Sequence, residues 1–290
     1  MVEEVVYQKF LEWIKEDIPF WDITTEIIPE NCYCKAVLLA KSSGVAACIE
    51  EVAYFLEKLG FKVEILKNSG EEFSEGEAIL EIEGKLKKLL MVERVILNIL
   101  MHTCGVATAT RKVVEKVKRI NPKVVIAATR KTLPGLRYFE KKAVKIGGGD
   151  THRFSLSDMV LIKNNHLKYF NSIKEAIEAA RKVTSFSKKI EVEVSSPSEA
   201  IEAAKSGADI VMLDNFTPNQ VAATMKLLER EGLRDKVLVE VSGGITIENV
   251  EEYARLKPDI ISMGWITHSV KAVDLSMKVL EVKVMHQSST

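Results

Sequence analysis

The segment between residues 129 and 153 concentrates side chains that bind anions. Its potential cations include Arg130, Lys131, Arg137, Lys142, Lys145 and Arg153, and it also holds a run of three glycines at 147–149. The whole chain has 41 basic and 41 acidic residues, so its formal net charge is zero. Such a balance leaves no field that would gather nucleic acid or an anionic membrane. The segment therefore predicts a local pocket for a small polyanion.

Two carboxylates add a second kind of chemistry. Glu193 lies at the end of one apolar run, and Asp214 directly follows another. Beside a phosphate-rich ligand, they suggest Mg²⁺ held partly through water, or hydrogen bonds to ribose hydroxyls, since Mg²⁺ takes few protein ligands plus substrate oxygens. Paired acids also occur in glycosidases. The nearby cations would, however, depress the pKa of any general acid.

The elements that position these residues form a regular pattern in the second half of the chain. Six apolar, β-branched runs at 124–128, 158–162, 190–194, 209–213, 237–241 and 259–263 alternate with helical patterns at 173–183, 197–206, 218–230 and 247–256. Buried strands joined by helices indicate a parallel α/β arrangement. With no GxGxxG after the first strand, six units favour a partly open α/β barrel over a doubly wound sheet, although the pattern alone does not decide.

Residues from distant parts of the sequence meet at the carboxyl ends of the strands in such a barrel. The polar and glycine residues at or just after these ends are Thr129, Arg130, Lys131, Lys163, Glu193, Asp214, Ser242, Gly243, Gly244 and Gly264, with His268 in the last loop. We expect His152 and Arg153 to join them at an exposed rim. The two glycines after Ser242 would let backbone amides approach a phosphate, aided by a helix starting near Thr246. The alternative is that these residues only end the strands and begin the loops, and bind no ligand.

The first half of the chain mixes helical and strand patterns in a way that is typical of an α+β domain. Helical patterns cover 7–16, 50–59 and 89–100, and strand patterns cover 36–40, 44–48, 61–66 and 77–82. The acidic N-terminal residues do not suit a signal peptide, and we expect no apolar run of membrane-spanning length. Four scattered cysteines are expected to be reduced and buried. These features predict a cytoplasmic protein that binds neither membranes nor nucleic acid.

The chain resembles the quinolinate phosphoribosyltransferases, also called nicotinate-nucleotide pyrophosphorylases, of the type II phosphoribosyltransferases. The resemblance lies in TRKTLPGLR, KxAVxxGGGxxHR, LIKNNH, EVEV, VMLDN, SGGI, the segment 264–269, and the segments around Arg94 and Gly105. It runs from about residue 90 to 276, and Asp22-Ile23-Thr24-Thr25 extends it. Asn164 stands where the family more often has Asp, and Leu133 where Thr or Met is common.

The resemblance implies an N-terminal α/β sandwich domain, residues 1–106 joined by 271–290, and a barrel domain at 107–270. It implies transfer of the phosphoribosyl group of phosphoribosyl pyrophosphate (PRPP) to quinolinate, with decarboxylation and with Mg²⁺ at Glu193 and Asp214. Lys131, Glu193 and Asp214 would be catalytic. Quinolinate would be bound by Arg94, Thr129, Arg130, Lys131, His152, Arg153 and Lys163. PRPP would be bound by Lys163, Glu193, Asp214, Ser242, Gly243, Gly244, Gly264 and His268.

The resemblance also implies a homodimer, or a larger homo-oligomer such as a hexamer, in which Arg94 enters the neighbouring site. A salt bridge from Arg94 to Glu93 or another local acid is the structural alternative. Two other functions remain open from sequence. One is that of a sister enzyme of the same fold, such as the molybdenum-transport-associated homologues, and the other is non-catalytic binding of a phosphorylated metabolite. The second would have no need of Glu193 and Asp214.

Overall fold

The computed structural model describes residues 2–285, and the chain divides into two compact units. One unit takes in the chain up to Ala109 and again from Val270 onward, and the other spans Thr110–Ser269. Residues 286–290, which the predicted N-terminal domain includes, lie outside the described part of the chain.

The first unit is built on an antiparallel sheet with the strand order β12-β1-β5-β3. Its elements are α1 (Val2–Asp17), β1 (Cys32–Ala40), β2 (Gly44–Val45), α2 (Ile49–Lys58), β3 (Lys62–Ile65), β4 (Glu72–Phe73), β5 (Ala78–Lys85), the part of α3 (Leu86–Lys118) up to Ala109 and, from the far end of the chain, β12 (Leu275–Val284). The sheet and helices confirm the predicted α+β half. The strand predicted at 44–48 is shorter, because Cys48 has a left-handed backbone (φ 60°) and α2 begins at Ile49.

Helix α3 is much longer than the predicted 89–100. Its most apolar 18-residue window has a mean hydropathy of 1.5, so the helix is long and apolar enough to cross a membrane. The prediction that no apolar run reaches this length is therefore wrong. Of that window, 61% is buried inside the protein. A core helix of a globular protein passes the same test, since it is apolar for the sake of packing.

The second unit is a six-stranded parallel sheet with the order β6-β11-β10-β9-β8-β7. Its elements are β6 (Val125–Ala127), α4 (Arg137–Ile146), β7 (Val160–Ile162), α5 (Asn164–Leu167), α6 (Ile173–Val183), β8 (Ile190–Val194), α7 (Pro197–Lys205), β9 (Ile210–Asp214), α8 (Pro218–Arg230), β10 (Leu238–Ser242), α9 (Val250–Ala254), β11 (Ile260–Ser262) and α10 (Trp265–His268). Each predicted strand overlaps an observed one.

The sheet of the second unit does not close through paired strands. β6 and β7 are its two edges, and Ala127 forms only an isolated bridge to Asp150 between them. This confirms the partly open barrel and excludes the doubly wound alternative, because the first strand lies at an edge. The helices begin at good capping residues: Ser172, Ser196 and Thr217 each accept a backbone N–H from the first turn of α6, α7 and α8.

Candidate active site

A cavity of about 250 Å³ lies where the strands of the second unit end. Every strand of the sheet, or the residues directly after it, contributes to its wall. The lining residues are Ala128, Thr129, Arg130, Lys131, His152, Arg153, Leu161, Lys163, Glu193, Met212, Asp214, Glu240, Ser242 and Ser262. Nine of them are predicted site residues: Thr129, Arg130, Lys131, His152, Arg153, Lys163, Glu193, Asp214 and Ser242.

Two arginines form the most buried part of the cationic wall. Arg153 is only 8% exposed, and the Nε atom of Arg130 is buried with no hydrogen-bond acceptor among residues 2–285. Burial lowers the pKa of Arg153, and the Arg130 guanidinium lowers it further. A buried guanidinium with a second, half-buried one close enough to repel it is stabilised by an anion that both can bind. This wall is therefore built to receive a carboxylate or a phosphate.

The expectation that the rim residues are all exposed is wrong for Arg153 and for Glu193, which is 9% exposed. Glu193 is buried within β8, and Arg153 is buried in the loop between α4 and β7. Glu193 points to the same side of β8 as Glu191, because side chains alternate along a strand. Substitutions at Arg153 and Glu193 will therefore change packing as well as charge.

Two acidic side chains, Glu193 and Asp214, also line the cavity. Glu193 Oε2 is 3.6 Å from Lys163 Nζ, and the backbone N–H of Asn164 points at Glu193 Oε1 over 3.5 Å. On the next strand, Asp214 Oδ2 accepts a hydrogen bond from Asn215 Nδ2 at 2.7 Å. The predicted pair therefore lines one cavity, with Lys163 between the cationic and the anionic groups.

The turn after β10 is shaped by Asn215. Gly243 has φ +90°, and a Cβ there would collide with the Asn215 side chain and backbone, while Gly244 has φ +61° and open space around it. Only glycine fits such a position easily. The regular helix α9 begins at Val250, but its first turn already starts near Thr246, as predicted: Val250 N–H donates to the Thr246 carbonyl at 3.0 Å, and Thr246 N–H donates to Asn249 Oδ1 at 2.9 Å. Support of a phosphate by the start of this helix stays a prediction.

Gly264 and His268 adjoin Lys131 without lining the cavity. A Cβ on Gly264 would lie 2.8 Å from His268 Nε2 and 2.9 Å from Lys131 Cδ. Thr267 Oγ1 donates to the Lys131 carbonyl at 2.7 Å, and Lys131 N–H donates to Thr129 Oγ1 at 3.0 Å. These contacts fix the backbone at residues 129–131. The Lys131 side chain passes so close to Gly264 that a larger residue there would collide with it.

Arg94 lies on α3 in the first unit and is exposed. It is not part of the cavity wall, and within the described chain it forms no salt bridge to Glu93. The local ion pair that was the structural alternative is therefore absent from residues 2–285. An exposed arginine between the buried Val92 and Val95 is available to a ligand or to another copy of the chain.

The sequence analysis missed several residues of the cavity, of which Glu240 is the most consequential. It is fully buried, as is Glu191 on β8, and burial followed by the charge of Glu240 raises the pKa of Glu191 to about 8. Their signal was present in the alternation of EVEV and VEVS, where charged residues share a face with Glu193 and Ser242. Both acids lie inside their strands, whereas most of the predicted site residues lie at or after the strand ends.

A parallel α/β barrel with cations, two carboxylates and glycine turns at one end is the construction of an enzyme for small anionic substrates. Known sequences agree. The C-terminal domain of quinolinate phosphoribosyl transferase matches residues 106–278, and its N-terminal domain matches residues 22–104. The chain belongs to the quinolinate phosphoribosyl transferase family.

Named relatives cover nearly the whole chain. It is 48% identical to a probable nicotinate-nucleotide pyrophosphorylase [carboxylating] of Archaeoglobus fulgidus, over 91% of this chain and 100% of the relative. It is 35% identical to the human nicotinate-nucleotide pyrophosphorylase [carboxylating], over 94% and 91%. The solved structure of the Francisella tularensis nicotinate-nucleotide pyrophosphorylase matches with a TM-score of 0.88 at 33% identity, covering 96% of this chain and 97% of that one.

Proposed function

We propose that this chain transfers the phosphoribosyl group of PRPP to quinolinate and releases nicotinate mononucleotide, pyrophosphate and CO₂. The pyridine nitrogen forms a bond to ribose C1 as the bond from C1 to pyrophosphate breaks. The nitrogen is then cationic and draws in the electron pair that remains on C2 when its carboxylate leaves as CO₂. A proton from water completes C2. No protein nucleophile is needed.

The observation that carries this proposal is the buried Arg153 beside the half-buried Arg130, whose buried Nε atom lacks an acceptor in the described chain. Quinolinate has two adjacent carboxylates, and an arginine can bind a planar carboxylate through two parallel hydrogen bonds. His152 and Lys163 line the same cavity and add positive charge, and Thr129 and Lys131 complete the wall. A dianion of this size would neutralise the cations that now face one another.

The phosphoribosyl half of the reaction is assigned to the other side of the cavity. Lys163, Ser242 and the turn at Gly243 and Gly244 would bind phosphate oxygens, with Gly264 and His268 beside Lys131. Ribose gains positive character as pyrophosphate departs. Glu193 and Asp214 would stabilise that charge, because fixed carboxylates act strongly where water is excluded. Lys131 would offset the charge that develops on the leaving pyrophosphate.

Mg²⁺ fits this site by the chemistry of its donors. Glu193 and Asp214 supply carboxylate oxygens from neighbouring strands toward one cavity, and Mg²⁺ prefers one or two such ligands together with water and phosphate oxygens. These two residues would hold the ion, partly through water. When bound, Mg²⁺ would neutralise the charge of PRPP and its pyrophosphate group.

The oligomer is part of the proposal. Arg94 is exposed on α3, and we infer that it enters the site of a neighbouring copy in a homodimer or in a larger assembly such as a hexamer. The four cysteines are free and buried, which supports the proposal of a reducing, cytoplasmic setting.

The test is to incubate the purified protein with quinolinate, PRPP and Mg²⁺ and to measure nicotinate mononucleotide by chromatography. We expect PRPP-dependent product, and loss of product in Arg130→Ala. Lys145→Ala is the matched control, because Lys145 is an exposed cation on α4 outside the cavity. Absence of product from the folded wild-type protein would refute the proposal.

A further inference from the structure

Two carboxylates lie below the rim of the barrel, where the proposed reaction has not used them. Glu191 on β8 and Glu240 on β10 are both 0% exposed. Both oxygens of Glu191 and Oε1 of Glu240 have no hydrogen-bond partner within residues 2–285. Burying two such groups side by side is unfavourable unless a cation lies with them.

The cation that lies with them is the side chain of His152. Its Nε2 atom is 2.9 Å from Glu240 Oε2 and 3.5 Å from Glu191 Oε2. His152 itself lines the cavity, and so does Glu240, whereas Glu191 lies behind them. The imidazole is therefore the link between the buried acids and the space that the substrate would occupy.

The backbone of His152 is fixed as tightly as its ring. The residue has a left-handed conformation (φ 51°), which is uncommon outside glycine. Its N–H donates to Asp150 Oδ1 at 2.6 Å, and the buried Lys141 amine donates to the carbonyls of Thr151 and Arg153 on either side. A strained residue held at both neighbours and at its ring tip is a built feature, since such strain persists only where the surroundings impose it.

We propose that Glu240, supported by Glu191, is a positioning residue that holds the His152 side chain as an oriented imidazolium in the wall that receives the pyridine dicarboxylate. The proposal rests on the proposed function for the identity of the ligand. It assigns a task to two buried acids in a cationic site. Without Glu240 the imidazole would lose the 2.9 Å hydrogen bond that fixes its orientation in the cavity wall.

The charges around His152 agree with this arrangement. Burial lowers the pKa of His152, but the hydrogen bond and charge of Glu240 and the charge of Glu191 raise it more, and Lys141 on α4 opposes them. The net result is a pKa above the ordinary histidine value. The donor atoms of His152, Glu191 and Glu240 lie within 4.8 Å of one another, as in a metal site. A metal would need a neutral imidazole, and Lys141 and Arg153 beside the cluster disfavour a further cation.

The test uses the full-length variants Glu240→Gln and Glu191→Gln, with Glu252→Gln on the exposed side of α9 as the matched control. NMR of isotope-labelled histidine follows the five histidines through a pH titration, and the signal absent from His152→Asn identifies His152. We expect the His152 midpoint to fall by about one pH unit or more in Glu240→Gln, and by less in Glu191→Gln. The control should titrate as the wild type does.

Kinetics supply the second readout. In Glu240→Gln we expect the KM for quinolinate to rise about tenfold or more, with the KM for PRPP changed by less than about threefold, because only the dicarboxylate faces the lost charge. Both effects should be smaller in Glu191→Gln, which also serves if Glu240→Gln fails to fold.

Three results would overturn the inference: an unchanged His152 titration in both folded variants, an equal rise in both KM values, or stoichiometric binding of Zn²⁺ at the cluster. If the wild type shows no activity with quinolinate, the proposed function fails. The His152 titration then still decides whether the acids hold an imidazolium.

Discussion

Nicotinate should be a poor substitute for quinolinate, because it lacks the carboxylate at C2 while keeping the one at C3. The cavity wall contains Arg153, at 8% exposure, and Arg130, whose buried Nε has no acceptor within the described chain. Nicotinate can satisfy one of these guanidinium groups and leaves the other facing a like charge. The comparison therefore removes one ion pair from the site without changing the protein.

The size of the effect follows from that burial. Leaving one member of a buried, hydrogen-bonded charge pair without its partner costs about 2–5 kcal/mol. Each tenfold change in rate corresponds to about 1.4 kcal/mol. We therefore expect kcat/KM for nicotinate to be lower than for quinolinate by about 30-fold to several thousandfold, that is, on the order of 100-fold or more.

The assay is simple because both acids give the same product, nicotinate mononucleotide, and only quinolinate also gives CO₂. Arg153→Ala should reduce the preference for quinolinate toward about tenfold, since the variant no longer leaves a buried guanidinium unpaired with nicotinate. Lys145→Ala, which changes an exposed cation outside the cavity, should keep the full preference. Comparable kcat/KM values for the two acids in the wild type would refute the reasoning, and with it the assignment of the arginine pair.

Three further results are expected. Glu193→Ala and Asp214→Ala should each raise the Mg²⁺ concentration that gives half-maximal rate by about tenfold or more. The reason is that a carboxylate contact to a cation is worth about 1.5–3 kcal/mol. If titration with Mg²⁺ shows an unchanged dependence, these two residues are not ligands. Arg94→Ala and Glu193→Ala should each be nearly inactive alone, but refolded together they should recover up to about one quarter of wild-type activity, since a mixed dimer has one site with both native residues; no recovery in confirmed mixed dimers would place Arg94 outside the neighbour's site. Burial lowers the pKa of Lys141 from 10.5 to about 8, with Arg137 adding to the effect. Above pH 8 the unfolded chain therefore holds a proton that the folded one has lost, and the free energy of unfolding should rise by up to about 3 kcal/mol, relative to Lys141→Met, as the pH increases from 8 to 10.5. Denaturant unfolding across that range would show a constant difference if Lys141 were solvated.

The barrel could be predicted from sequence because its strands are buried on both faces. Runs such as 190–194 and 209–213 are mostly apolar, short and separated by helical patterns. This pattern predicts parallel strands that alternate with helices along the chain. Nine predicted site residues then line one cavity, since the carboxyl ends of parallel strands necessarily meet. Here the local pattern and the global fold give the same answer.

Other features depend on tertiary contacts that no local pattern records. Strand β12 pairs with β1 across the whole length of the chain, and the prediction contained only its membership of the first domain. The depth of Arg153 depends on Lys141, which holds its carbonyl from α4. Glu240 differs, because the alternation within its strand places it on the same face as Ser242, a signal that was present in the sequence and was not used.

The most direct measurement uses quinolinate carrying an isotopic label in its 2-carboxylate. With PRPP and Mg²⁺ present, labelled CO₂ and nicotinate mononucleotide should form in a one-to-one ratio, and neither should form when PRPP is omitted. That result would tie the loss of the carboxylate to the transfer of the phosphoribosyl group in one site. Release of the label without PRPP, or formation of the nucleotide with the label retained, would contradict the account.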